Sequence, residues 1–147
     1  MIQGLIIKKI LNKSTHDGGK VNKIINYKDT EYQGFQELYF TRINPLKIRG
    51  WKMHKKMTSN LLVISGKVLF VFKDLRKKSE TYNEINQITL NSSITKSIIA
   101  PPKIWFGFQG LFHKESLICN FSNLMHNDSE VLKKPLNHIK FSWKNNI

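Results

Sequence analysis

The stretch RGWKMHKKMTSNLLVISGK, from Arg49 to Lys67, decides the fold. Its first residues form a predicted strand with Lys52 and His54 on one side, because successive side chains of a strand point to opposite faces. The stretch then runs into a hairpin that is apolar on both faces, which is typical of strands covered on both sides, as in a sandwich or a closed barrel. It therefore predicts a β-structure in which a lysine and a histidine share one face of a strand that leads into the core.

Short runs rich in Val, Ile, Phe and Tyr continue on both sides of this stretch. Turn-forming residues separate the runs at His16–Gly19, Asn44–Lys47, Leu75–Asn83, Leu90–Ser93 and Pro101–Lys103. Helical periodicity is weak, and we expect only one short helical turn, at Asp128–Lys133. The N-terminal GLIIKKIL is expected to form an edge strand. The number and lengths of the runs predict an all-β chain and fit a jelly roll.

Composition indicates the size and class of the protein. With 147 residues, of which 40% are hydrophobic, the chain can bury one good core, so we expect a single domain over residues 1–147. No apolar run is long enough to cross a bilayer and no signal-peptide cleavage site is evident, so we expect a cytoplasmic protein without a membrane partner. The one cysteine, Cys119, excludes an intrachain disulfide and is expected to be a buried thiol.

The chain is strongly basic, with a formal net charge of +14. Its lysines are scattered along the sequence and form no dense basic helix or arm. We therefore interpret the charge chiefly as a solvated basic surface, and secondly as a pocket for an anionic small molecule. Nucleic acid is not expected as a partner, because binding to it usually depends on a clustered basic patch or stripe.

The spacing of the opening stretch resembles that of the cupin class of jelly rolls. In that class, one motif carries two histidines separated by one residue, then a glutamate and a closing glycine, and a later motif adds a third histidine. The corresponding residues here are Lys52, His54, Ser59, Gly66 and Phe106, in that order. Only one imidazole remains, and a lysine beside it would repel a cation, so we expect no bound metal and no other cofactor.

Residues 34–143 contain, in this order, the segments IRGWKMH, GKVLFVFKDLR, PPKIWFGF and FSW, the first of which begins at Ile48. Metal-free cupins that act on nucleotide sugars carry RG-x-H, D-x-R, P-x-G-x-x-H-G-F and a late tryptophan in the same order. The chain thus resembles a divergent branch of the dTDP-4-dehydrorhamnose 3,5-epimerase family. The resemblance implies a homodimer that epimerises a keto-sugar carried on a nucleotide diphosphate, in the synthesis of cell-surface polysaccharides.

The chain departs from this family at its catalytic positions. Lys52 replaces the histidine of RG-x-H, which is the family's general base, and no tyrosine occurs between Ile118 and Glu130, where the family has its acid. Epimerisation beside a ketone needs a base for the C–H proton and a group that holds the enolate. We expect Lys52 and His54 to share these catalytic roles, with Lys52 as the base, because burial disfavours the ammonium form of a lysine.

Seven further residues are candidate contacts to the substrate: Glu37, Arg49, Asn60, Trp105, Phe106, Phe108 and Asn120. Arg49 could fork onto a diphosphate if its strand bulges at Gly50, since plain alternation would turn it away from Lys52. The three aromatic rings could stack on a sugar or base. The glutamate resembles that of the family's G-F-x-E strand, and the asparagines interrupt apolar strands. His126 is expected to be a surface loop residue.

Two other functions remain open at this point. A nucleotide-sugar 3,4-ketoisomerase uses the same fold and has an H-x-H strand, of which this chain retains the second histidine. A catalytically silent cupin that only binds a sugar nucleotide would explain the missing family histidine and tyrosine. The epimerase, the ketoisomerase and the binding protein would all have the same fold, so only the residues of the site can distinguish these functions.

Overall fold

The chain folds into two five-stranded antiparallel sheets and a short ribbon. The computed structural model describes residues 1–145. The strands in chain order are β1 (Ile6–Lys9), β2 (Leu11–Ser14), β3 (Lys20–Lys23), β4 (Glu37–Ile43), β5 (Ile48–His54), β6 (Ser59–Ser65), β7 (Lys67–Lys73), β8 (Ile85–Asn91), β9 (Lys96–Ala100), β10 (Trp105–Gly110), β11 (Ser116–Ser122) and β12 (Val131–Lys133). The first sheet has the order β1-β9-β6-β11-β4, the second has the order β12-β5-β10-β7-β8, and β2 pairs with β3.

The prediction of an all-β chain is confirmed. The helical segments within residues 1–145 are two single 3-10 turns, at Asp128–Glu130 and Leu136–His138. No helix in that described part is long and apolar enough to span a bilayer. The expected turn at Asp128–Lys133 is shorter than predicted, because its last three residues form β12 and pair with β5. The expected N-terminal edge strand is β1, at the edge of the first sheet.

Side chains from both sheets meet in one apolar core. The first sheet contributes Leu61, Val63 and Ile118, and the second contributes Phe70 and Phe72, among others. These residues alternate along their strands with residues on the opposite faces, as the two-residue period of a strand requires. The inner surfaces of the two sheets therefore form the main core, and a cavity lined by both sheets receives inward-facing side chains from each.

The outer face of the second sheet is also buried, because the C-terminal segment covers it. A second apolar cluster there consists of Trp51, Leu69, Val71, Trp105 and Ile139. The side-chain amide of Gln109 holds the segment in place by accepting a hydrogen bond from the Lys144 N–H at 3.0 Å and donating one to the Lys144 carbonyl at 2.7 Å. Strand β7 is thus covered on both faces, as its apolar sequence predicted. Cys119 is a buried free thiol, as expected.

A buried carboxylate organises the loop after β7. Asp74 is fully buried and accepts hydrogen bonds from the side chains of Arg76, Ser79 and Thr81. Burial alone would raise the pKa of Asp74, but these hydrogen bonds outweigh it and hold the pKa well below its usual range. Arg76 also donates to the carbonyl of Gln3, so the D-x-R motif ties the N-terminal segment to the second sheet.

Strand β5 carries one extra residue opposite β10. Phe106 pairs with Lys52 and Phe108 pairs with Arg49, so two residues of β5 lie opposite Gly107 alone. This arrangement is a β-bulge, and it resets the alternation of side chains along the strand. Arg49 therefore faces the same cavity as Lys52, which is the condition that the sequence set for its role. The Gly50–Trp51 peptide bond within the bulge is cis.

We predict that Gly50→Ala destabilises the fold at this bulge. A Cβ atom at Gly50 would lie only 2.7 Å from the Cα of Gly107, which is backbone and cannot rotate away. Forcing an extra methyl group into a packed site costs about 1–3 kcal/mol of the free energy of unfolding. Urea denaturation of the parent and the variant measures this loss.

Gly18→Ala is the matched control for this substitution. Gly18 also has a positive φ, of 84°, but a Cβ atom there would meet nothing within 4 Å. The Gly18→Ala variant therefore measures the cost of placing alanine at a positive φ without a steric collision. The free energy of unfolding should fall further in Gly50→Ala than in Gly18→Ala, by the amount given above. Equal losses in the two variants would show that the close approach of Gly50 to Gly107 does not constrain the strand.

Candidate active site

A cavity of about 570 Å³ is lined by residues of both sheets. Strand β4 of the first sheet forms one wall, and β5, β10 and β12 of the second sheet form the other. His126, from the loop after β11, also lines it. The volume is in the range that is typical of small-molecule sites.

Five of the predicted site residues line this cavity: Glu37, Arg49, Lys52, His54 and Phe108. They come from three different strands, and the bulge in β5 is what adds the arginine to the group. The fold thus brings together both residues that the sequence indicated as catalytic and three of the seven that it indicated as substrate contacts. His126 is exposed, as expected of a loop residue.

Two predicted contacts lie on faces that point away from the cavity. Trp105 belongs to the outer cluster of the second sheet, beneath the C-terminal segment. Asn60 alternates with the inward Leu61, and its side chain donates to the Phe121 carbonyl at 3.0 Å. The prediction that Trp105 and Asn60 contact a ligand in the cavity is therefore wrong, because strand alternation turns both side chains outward.

Two further predicted contacts support the cavity without lining it. The ring of Phe106 lies 6.0 Å from the imidazole of His54 and 4.9 Å from the Nζ of Lys52, measured to ring centroids. Asn120 is buried in β11, and its Nδ2 donates to the Oη of Tyr39 at 2.6 Å. Phe106 and Asn120 therefore contact side chains that line the cavity but do not line it themselves.

The histidine of the cavity is held by a carboxylate. Nδ1 of His54 lies 2.7 Å from Oε2 of Glu130, and only 4% of the histidine is exposed. Oε1 of the same carboxylate accepts from the backbone N–H groups of Lys56 and Met57, at 2.6 and 2.9 Å. These hydrogen bonds outweigh burial and keep the pKa of Glu130 below its usual value. The carboxylate is therefore a fixed anion that orients the imidazole.

The other ring nitrogen of His54 has no partner. Nε2 is buried and makes no hydrogen bond to any group within residues 1–145. Burial lowers the pKa of His54, and the bond to Glu130 opposes that change only in part. The neutral imidazole is thus favoured, with its Nδ1 proton donated to the carboxylate and a lone pair on Nε2.

Lys52 is a largely buried amine on the same face of β5. Burial, together with the positive charges of Arg49 and Lys133, lowers its pKa to about 8. It forms no ion pair with any carboxylate in the described part of the chain, and its Nζ lies over the ring of Phe106. Because this pKa is still above neutral, the ammonium form of Lys52 predominates at pH 7.

The cavity wall of the second sheet is strongly positive. Arg49, Lys52, Lys133 and Lys134 all line it, and Lys133 pairs with Lys52 in register across β5 and β12. Glu37 lines the opposite wall, where its carboxylate accepts from the backbone N–H of His126 at 2.7 Å. Such a concentration of positive charge at one site favours an anionic ligand.

Sequence reasoning missed three parts of this site. Glu130 is 76 residues from His54 in the chain, and only the pairing of β12 with β5 brings them together, so no local pattern could reveal it. The same pairing adds the two lysines next to β5. Tyr39 could have been found, because it lies two residues after Glu37 on one strand and must therefore share its face.

No group of three or more metal-ligating side chains occurs among residues 1–145. The imidazole of the cavity is paired with one carboxylate, and its other neighbour on the strand is a cationic lysine. An imidazole, a carboxylate and an amine are side chains that can transfer protons and stabilise charge.

We predict that Lys52→Met stabilises the protein at pH 7. The pKa of Lys52 is about 8 in the folded state and about 10.4 in an unfolded chain. Between about pH 8 and 10.4 the unfolded state binds more protons than the folded state, so the free energy of unfolding rises with pH. Below about pH 8 the amine is charged in both states, and the full cost of burying that charge lowers the stability of the folded protein. Removing the amine should raise the free energy of unfolding at pH 7 by about 1–3 kcal/mol, with a smaller gain at pH 10.

Urea denaturation at both pH values measures these differences. Lys96→Met, at an exposed position of β9, serves as the control and should change stability at neither pH. A Lys52→Met protein that is no more stable than the parent at pH 7 would contradict the buried, cationic state of this amine.

The chain is similar to known proteins along most of its length. The profile of the family described as dTDP-4-dehydrorhamnose 3,5-epimerase matches residues 22–147. The crystal structure of a dTDP sugar isomerase from Desulfovibrio desulfuricans G20 is similar, with 27% identity, a TM-score of 0.88, and coverage of 97% of this chain and 92% of that chain. No curated protein sequence matches the chain.

Two more distant structures have the same fold. The dTDP-4-dehydrorhamnose 3,5-epimerase of Elizabethkingia anophelis NUHP1 is 18% identical, with a TM-score of 0.86 and coverage of 97% of this chain and 82% of that one. The dTDP-6-deoxy-D-glucose-3,5-epimerase of Legionella pneumophila Philadelphia 1, solved with dTDP-4-keto-L-rhamnose, is 16% identical, with a TM-score of 0.82 and coverage of 97% and 81%. The predicted cupin jelly roll is thereby confirmed. From the match over residues 22–147, the chain belongs to the dTDP-4-dehydrorhamnose 3,5-epimerase family.

Proposed function

We propose that this protein is a metal-independent epimerase of a keto-sugar attached to a nucleotide diphosphate. The observation that carries this function is the pair of Glu130 and His54, which leaves a buried, unpartnered Nε2 beside a cationic lysine in the cavity. That arrangement suits removal of a proton from the carbon next to a ketone. We also place this activity in the cytoplasmic synthesis of cell-surface polysaccharides, as the resemblance of the sequence to the family implies.

His54 is the base in this mechanism. Its Nδ1 proton is donated to Glu130, so the Nε2 lone pair is free to accept a proton, and burial keeps the ring neutral at pH 7. As the imidazole gains a proton, the carboxylate stabilises the new positive charge. This assignment differs from the prediction made from the sequence, in which Lys52 was the base because it stands at the position of the family's histidine.

Lys52 holds the oxygen of the ketone. Proton removal moves an electron pair from the C–H bond towards that oxygen, which becomes an enolate and needs a nearby cation or donor. Lys52 is mostly an ammonium at pH 7 and lies two residues from His54 on the same face of β5. A charged amine is a poor base but a good partner for a developing negative charge, which favours this role over proton abstraction.

The positive wall of the cavity suits the diphosphate of a nucleotide sugar. Arg49 can bind phosphate oxygens in a forked geometry, and Lys133 and Lys134 add point charges beside it. Phe108 adds an aromatic surface to the same cavity. The Legionella pneumophila epimerase with its bound dTDP-4-keto-L-rhamnose supports this class of ligand.

Solvent deuterium exchange tests this function. The parent is incubated in deuterated water with dTDP-4-keto-6-deoxyglucose and related keto-sugars, and NMR follows deuterium entry next to the ketone. His54→Gln should slow exchange by about a hundredfold or more, as is usual when a general base is lost. Lys52→Met should slow it by about 10²–10³ through loss of the oxygen contact. His113→Gln, at an exposed position outside the cavity, is the control.

The same spectra separate the competing functions. A ketone that moves to the neighbouring carbon would identify a 3,4-ketoisomerase. A parent that binds the nucleotide sugar but exchanges no deuterium would be a catalytically silent binding protein. Unchanged exchange in both variants would remove His54 and Lys52 from the mechanism.

We also propose that the protein is a homodimer that associates through the outer face of β4. Within residues 1–145, β4 is an edge strand with no strand beyond it. Its outward Leu38 and Phe40 are 49% and 57% exposed, and the neighbouring Phe35 is 53% exposed. A row of exposed apolar side chains on an edge strand is a surface that a second copy would cover.

Light scattering coupled to size-exclusion chromatography measures this association. The parent should have twice the monomer mass of 17.2 kDa, and Phe40→Glu should shift it towards the monomer because a buried charge is costly. Leu11→Lys, at a 72% exposed site on β2, is the control and should remain dimeric. A monomeric parent would refute the dimer.

A further inference from the structure

Tyr39 lies on the wall of the cavity that faces the proposed base. It is an inward residue of β4 in the first sheet, whereas His54 and Lys52 belong to β5 in the second sheet. A ligand between these strands therefore has an imidazole on one side and a phenol on the other. Tyr39 is the only tyrosine among the described residues that line the cavity.

The hydroxyl group of Tyr39 is held in position by Asn120. Asn120 is paired with Tyr39 in register between β11 and β4, and its Nδ2 donates to the phenol Oη at 2.6 Å. A second contact, from Nδ2 to the Oγ of Ser59 at 3.4 Å, steadies the amide. With Nδ2 as the donor, the phenol uses a lone pair in this bond, and the Oδ1 of the same amide is left buried without a partner among the described residues.

The surroundings of Tyr39 also keep it protonated. Burial raises its pKa above the usual value, and the negative charges of Glu37 and Glu130 act in the same direction, while the bond from Asn120 opposes them. The group is therefore a proton donor over the whole neutral range and is a poor base.

Inversion at a carbon needs such a second group. A base that removes a proton and returns it from the same side restores the original configuration, so His54 alone gives exchange without inversion. Tyr39 reaches the same cavity from a different strand.

We infer that Tyr39 is the proton donor that completes the epimerisation, from the side opposite His54. The inference rests on the proposed function. Nε2 of His54 takes the proton of the C–H bond, and the electron pair of that bond forms the enolate whose oxygen contacts Lys52. The enolate carbon then takes the hydroxyl proton of Tyr39 on its other face. Water reprotonates the phenolate and accepts the proton of the imidazolium, so no oxidant or reductant is needed.

Tyr39→Phe separates the two halves of the reaction. The change removes one hydroxyl group and keeps the ring, and circular dichroism and thermal unfolding verify that the variant folds. With the keto-sugar in deuterated water, NMR measures deuterium entry into the unchanged epimer and the amount of inverted epimer. We expect inversion to fall by about a hundredfold or more, as for loss of a general acid, while exchange into the unchanged epimer stays within about threefold of the parent.

Tyr82→Phe, at a half-exposed tyrosine in the loop before β8, is the matched control and should invert the sugar like the parent. A folded Tyr39→Phe protein that inverts at the parental rate overturns the inference and leaves the proposed function standing. Equal loss of exchange and inversion also overturns it, because that result assigns Tyr39 a structural or binding role. A parent that neither exchanges nor inverts any keto-sugar overturns the proposed function, and the inference with it.

Discussion

The close contact between Gly50 and Gly107 is the constraint on which the site depends. Two glycines let β5 and β10 approach where any side chain would collide, and the extra residue of β5 is accommodated there. The bulge restarts the alternation of side chains, so Arg49 joins Lys52 and His54 at the cavity. Without it, the arginine would point outward with Trp51 and Met53, and the cavity would lose part of its positive wall.

The charges of the cavity are arranged at a cost in stability. Lys52 lies among other cations, and burial removes much of its hydration, yet no carboxylate within the described residues pairs with it. Glu130, the carboxylate nearest to the histidine, is engaged by two backbone N–H groups and the imidazole. A ligand with negative charge would relieve this repulsion. Sites that store unfavourable electrostatics in this way are typical of proteins whose function selects against maximal stability.

The division of the cavity between two sheets has a chemical consequence. One wall carries the imidazole and the amine, and the facing wall carries the phenol, so a planar enolate between them is exposed to a different group on each side. A single sheet could not provide this geometry, because its inward side chains all approach a ligand from the same direction. This arrangement of the two sheets suits the proposed inversion of a carbon centre.

Much of the fold was predictable from local patterns. Runs of β-branched and aromatic residues between turn-forming residues indicated the strands, and the doubly apolar β7 indicated a strand buried on both faces. The motif order in IRGWKMH, DLR, PPKIWFGF and FSW indicated the family. Lys52, His54 and Glu37 line the cavity, and the shared face of the first two was predictable because alternation along one strand is a local property that a sequence displays.

The sequence by itself determined the all-β class, the inward pair on β5 and the need for a bulge if Arg49 was to join it. Only the tertiary structure decided the partner of His54, because Glu130 is distant in the chain and reaches it through the pairing of β12 with β5. It also decided that Trp105 and Asn60 face outward and that Tyr39 lines the cavity from the sheet opposite that of His54. These features depend on which strands become neighbours, and strand neighbours are set by packing over the whole domain rather than by any local pattern of residues.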